Sequence, residues 1–205
     1  MKGSFVQRAR PRSSPSQRGF DITRHVRHVA RDMVERLPEL AHIDLDAVAF
    51  AFCQARKPVR HGLFASLTPL RFASGATSGV RRGRQYGVQP VVDNAGREML
   101  YILRVYLPRF MDLEFREKLI TILHELWHIS PQFDGDLRRH DGRCYIHSGS
   151  QAQYDAEMGV LADRWLDHQP PESIYGFLHY SFAELHALHG PVFGVKIPQP
   201  KLIPL

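Results

Sequence analysis

From Ile22 the apolar residues Ile22, Val26, Val29, Met33 and Leu37 recur every three or four positions, the period of one helix face. Asp21 is placed to cap this helix and Pro38 to stop it. The period then changes. Over residues 46–56, Val48, Phe50 and Phe52 alternate with Ala47, Ala49, Ala51 and Cys53, which describes a strand with one bulky and one small face, although the alanines would also suit a helix. A second strand is expected over 62–72. The Gly-, Ser- and Arg-rich connection SGATSGVRRGR that follows reads as a mobile loop or a hairpin. Strands at 85–92 and 98–107 flank the turn Asp93-Asn94-Ala95-Gly96, and MLYILRVYL is the clearest strand of the chain.

Pro108 ends that strand, and a helix is expected from near Asp112 to Ser130-Pro131. Asp112, Glu114 and Glu117 favour its positive end, and Leu119, Ile120, Leu123, Leu126 and Trp127 form a wide apolar surface, with Trp127 in the core. A further helix spans 150–167, with Ser150 and Gln153 at capping-box spacing and Tyr154, Met158, Leu161 and Trp165 as its stripe. Pro170-Pro171 closes it, and a last helix is expected over 173–188. Helices around a few short strands make an α+β fold.

With 205 residues and 43% hydrophobic content, the chain can build one core of ordinary size. Residues 1–19 combine Arg, Ser, Pro, Gln and Gly with little to bury and read as a disordered basic tail. Residues 20–190 form the domain and 191–205 a Pro-rich C-terminal extension. No apolar run reaches the eighteen residues of a membrane span, so a cytoplasmic protein without a membrane partner is expected. Cys53 and Cys144 stand alone and read as reduced, buried thiols. The net charge of +6 permits anionic partners without requiring them.

Twelve histidines direct attention to metal chemistry. His25, His28, His42 and His61 lack ligand spacing and read as surface or polar-core residues. In His124-Glu125-Leu126-Trp127-His128, two imidazoles four residues apart share one helix face and can reach a single cation, for which Zn2+ fits. Glu125, one residue round, stands beside that cation and can take a proton from an attacking water as general base. Chance alone would produce this pattern about once in thirty chains of such composition, so its place in a strong amphipathic helix directly after a strand carries weight.

A catalytic zinc needs a third protein ligand. His147, immediately before a helix cap, is favoured over His140 in LRRHDG, and Glu157 is the carboxylate alternative or an outer partner. Asp134 and Asp136 could orient a ligand imidazole or simply form a solvated turn. Tyr145 and Tyr154 are candidate donors to a developing oxyanion, with core packing the plainer role for Tyr154. His186 and His189 share a helix face but have no acid or base motif beside them.

HELWHISPQFDGDLRRH resembles the zincin metallopeptidases, and more narrowly the metallopeptidase domains of bacteria and phages that are distantly similar to SprT-like proteases. The resemblance covers about residues 20–168. It implies a zincin-like arrangement: a small mixed sheet packed against the HExxH helix, an edge strand that binds extended protein or peptide substrate, and residues 98–107 as a sheet strand beside the site. The metzincin pattern HExxHxxGxxH is not continued after His128, and the Cys-rich zinc ribbon of some SprT-like proteins is absent. The expected function is a zinc metallopeptidase. The alternative is a noncatalytic metal-stabilised module that contacts nucleic acid through Arg8, Arg10, Arg12 and Arg18 and through Arg81, Arg82 and Arg84.

Overall fold

A computed structural model describes residues 7–8, 19–55, 62–139 and 151–205, giving the backbone alone for 7–8 and 151–155. After the short strands β1 (Gln7–Arg8) and β2 (Phe20–Asp21) comes helix α1 (Ile22–Arg36). Asp21 caps α1 by accepting the Arg24 amide at 3.1 Å, and the stripe from Ile22 to Met33 is buried. Strands β3 (Val48–Gln54) and β4 (Ala65–Pro69) follow, then β5 (Ser78–Arg81) and β6 (Arg84–Val88), then β7 (Val91–Val92) and β8 (Tyr101–Leu107). The helices are α2 (Phe115–Trp127), α3 (Gln151–Asp167), α4 (Glu172–Tyr175) and α5 (Phe182–His189), and β9 (Val192–Phe193) and β10 (Leu202–Pro204) complete the order.

The central sheet has the order β3-β8-β4, parallel between β3 and β8 and antiparallel between β4 and β8. Its alternating residues separate two cores. Val48, Phe50 and Phe52 join Tyr101, Leu103 and Val105 against the helices, while Ala49 and Ala51 meet Ile102, Val91 and Ile197 on the opposite face. The small alanines let this second layer approach closely. Arg104, buried on that side, donates to the Ile197 carbonyl at 3.1 Å. Residues 191–205 are tied in throughout: β9 pairs with β2, the Phe52 amide donates to the Val195 carbonyl at 3.0 Å, and β10 pairs with β6.

The connection 74–84 contains β5 and the turn of a hairpin whose second strand, β6, begins at Arg84, with a two-residue turn between them. Its tip residues Arg82 and Gly83 both have positive φ, the geometry that matches the twist of paired strands. The last helix is broken rather than continuous over 173–188: α4 leads into a 3-10 turn at Gly176–His179, and α5 starts afresh at Phe182. Ser181 and Glu184 form a reciprocal capping box at that restart, a signal present in the sequence. Cys53 is half-buried, and Cys144 lies outside the described residues.

Candidate metal and catalytic site

Helix α2 begins at Phe115, three residues after Asp112. Glu114 and Glu117 form its capping box, and Asp112 instead accepts the Phe182 amide at 3.0 Å. Leu119, Ile122, Leu123 and Leu126 face the core, which fixes the rotation of the helix. Buried Lys118 fixes its position, donating to the Leu178 and Tyr180 carbonyls at 2.8 and 2.9 Å. Trp127 is half-buried at the margin of the core rather than inside it, and the Arg138 guanidinium lies 4.3 Å above its ring.

Held in this way, His124 and His128 bring their rings to a centroid separation of 4.5 Å, edge to face at 87°. His128 is the C-terminal cap of α2, and its carbonyl accepts the Arg138 amide at 2.8 Å. Glu125 is buried, and burial pushes its carboxyl pKa up to about 7, with a hydrogen bond from the Leu67 backbone opposing the shift. A carboxyl with a pKa near neutrality suits proton transfer at neutral pH.

Leu67 belongs to β4, an outer strand of the central sheet. Phe64 and Leu70 bond to residues of the β8 strand and its approach, through Tyr106 and Leu100, so the intervening odd-numbered residues turn their backbone polar groups to the outer edge, where the Leu67 backbone meets Glu125. The strand beside α2 is therefore β4. The 98–107 segment, expected in that place, contains β8, which lies in the middle of the sheet with a neighbour on each side. A cleft of about 510 Å³ opens between the approach to β4, residues 62–65, and α2, with His124 and Glu125 among its walls. A separate hollow of about 570 Å³ lies along β3 and α1, where Asp46 pairs with Arg27, Arg31 and Arg97; it contains none of the motif residues.

Beyond His128 the chain is latched. Tyr101 donates its hydroxyl to the Asp136 carbonyl at 2.8 Å and accepts the Gly135 amide at 2.9 Å; burial pushes its pKa up to about 12. The Asp136 carboxylate accepts the Ser74 amide at 2.9 Å and two hydrogen bonds from Arg139 at 2.6 and 3.0 Å. Burial alone would raise the Asp136 pKa, but these donors outweigh it and hold the carboxyl below the ordinary range. Asp136 is thus a buried anchor rather than a solvated turn, and Asp134 accepts the Asp136 amide at 3.1 Å. The sequence singled out the aspartates but not their partners Tyr101, Ser74 and Arg139.

His140, His147 and Tyr145 lie outside the described residues, as does the side chain of Tyr154. Glu157 is exposed on α3. Among the described residues no group of three or more His, Cys, Asp or Glu side chains is placed to hold a metal, so the described donor set is the histidine pair. No helix among them is long and apolar enough to cross a membrane.

The family model described as putative phage metallopeptidase matches residues 20–159. The chain belongs to this family. The matched stretch contains α1, the central sheet and α2, including the whole HELWH motif, and family membership implies a hydrolase that uses a metal ion. No curated protein and no solved structure matches the chain.

Proposed function

We propose that the protein is a zinc-dependent peptidase with a zincin-like site, in which His124 and His128 hold the metal, His147 supplies the third ligand and Glu125 is the general base. The observation that carries this reading is the pairing of two imidazoles, their ring centroids 4.5 Å apart, with a buried carboxyl at the mouth of a cleft, next to an outer strand of the sheet. Two neutral imidazoles on one helical turn suit a borderline-soft cation, and Glu125 is turned away from their shared face. A divalent zinc bound there would polarise a peptide carbonyl and acidify a water molecule.

The chain's own residues supply the rest. The outward-facing backbone groups of Ala65 and the Leu67 carbonyl suit an extended substrate pairing with β4, while the Leu67 amide holds Glu125. Glu125 takes a proton from the attacking water and passes it to the leaving amine, and its burial excludes competing solvent. Replacing Glu125 with Gln should preserve metal content and fold while lowering peptide cleavage by about a hundredfold or more. Unchanged cleavage by the metal-loaded variant would remove Glu125 from the mechanism, and wild type that takes up no zinc would end the proposal.

The alternative reading, a noncatalytic module contacting nucleic acid, draws support from the β5–β6 hairpin. Arg81 and Arg84 face each other across its end, flanking Arg82, and among the described residues no carboxylate pairs with any of the three. Like charges placed directly opposite one another are unfavourable unless an anion joins them.

A further inference from the structure

The cleft beside His124 has an uneven chemistry. Along α2 and its approach one wall presents Leu113, Glu117, Ile120, Thr121 and His124, a single stripe at helical spacing. The facing wall carries Leu63 and Phe64, and Leu63 is 58% exposed. Among the described residues no lysine or arginine lines the cleft. The two cations adjacent to Glu117 in the chain are both diverted: Arg116 is engaged by Asp163 at 2.7 and 3.0 Å, and Lys118 is buried against the Leu178 and Tyr180 carbonyls. Arg109 packs against Gly62 but is not part of the lining. Glu117 is exposed; one carboxylate oxygen accepts the Glu114 amide at 3.2 Å, and the group remains accessible from solvent.

Distances along the helix give this chemistry a register. At 1.5 Å per residue, Ile120 lies about 6 Å and Glu117 about 10 Å from His124 along the axis. An extended chain advances about 3.3 Å per residue and turns every second side chain to the same side, so Ile120 meets the substrate position about two residues from the bond held at His124, and Glu117 is within reach of a long side chain about four residues from it.

We propose that this cleft selects peptides with a bulky apolar residue about two positions from the scissile bond, packed between Leu63 and Ile120, and a lysine or arginine about four positions from it, on the same side of the extended chain and facing Glu117. The inference rests on the peptidase reading and adds the substrate class to it.

The test is cleavage of a randomised peptide library by the zinc-loaded full chain, read as the ratio of cleavage of basic to neutral residues at each position. The expected ratio is about two- to fivefold at one position, the scale of an exposed ion pair, and it should shrink as salt is raised. Glu117→Gln retains the helix cap while removing the charge, and should bring the ratio to about one. Glu117→Lys should invert it in favour of acidic residues. Cleavage without a basic preference, or a preference that survives both substitutions, overturns this inference and leaves the peptidase reading standing. Wild type that holds its zinc and cleaves no library member overturns both.

Discussion

Arg139 grips the Asp136 carboxylate through two hydrogen bonds of 2.6 and 3.0 Å, and so ties the chain just before His140 to the Ser74 connection and to Tyr101. Because the folded pKa of Asp136 lies below its unfolded value, its stabilisation is complete above the ordinary aspartate range. That contribution is lost as pH falls through the folded value. Asp136→Asn should cost about 1–2 kcal/mol at neutral pH, modest because Arg139 keeps access to water. The stability gap from wild type should narrow on acidification, as read from denaturant midpoints at pH 7 and pH 3; a gap independent of pH would contradict the argument.

The third ligand is separable by metal content. His124→Ala, His128→Ala and His147→Ala should each lose most of the bound zinc, whereas His140→Ala and Glu157→Ala should keep it. Zinc per chain, measured on purified folded variants, decides among them. Loss at His140 with retention at His147 would reverse the assignment.

Lys118 is a cation buried within α2 and held by two carbonyls. Burial lowers its pKa, with Asp112, Glu114 and Glu184 opposing the shift. Lys118→Met keeps most of the side-chain volume but leaves the Leu178 and Tyr180 carbonyls without their donor. A net loss of about 1–3 kcal/mol is expected, since relief of the buried charge offsets part of the cost. Urea unfolding measures this directly, and an unchanged midpoint would show that the carbonyls find other partners.

Replacing Arg81, Arg82 and Arg84 together with alanine tests the hairpin. If each neutralises one phosphate, the log–log salt dependence of duplex DNA binding should lose about 0.9 per arginine. An unaltered slope, or no binding by wild type, removes the nucleic-acid reading. Peptide cleavage should be unaffected, because the hairpin does not line the cleft.

Much of this arrangement is legible locally. The start of α1 follows from Asp21 and a period of about 3.6, and the two faces of β3 follow from alternating phenylalanine and alanine. The histidine pair follows from helical geometry once α2 is recognised. Sheet order is less accessible, because it depends on partners far apart in the chain: Pro69 in ASLTP, with no amide to donate, suits an outer strand, but nothing local identifies β8 as its neighbour. The break before α5 was hidden by aromatic and histidine residues that extend the apolar pattern across Gly176–Tyr180, although the Ser181–Glu184 cap marks it. The latch at Asp136 joins Tyr101, Ser74 and Arg139, and their meeting is a product of the fold rather than of any local pattern.

The hydrogen bond between Leu67 and Glu125 places strand and helix, nearly sixty positions apart in the chain, in one machine. Random mutagenesis scored for lost cleavage should therefore yield lesions in two separate windows, around 62–69 and around 113–128. Many in the first would leave zinc uptake intact, marking them as faults in presenting the substrate rather than in holding the ion.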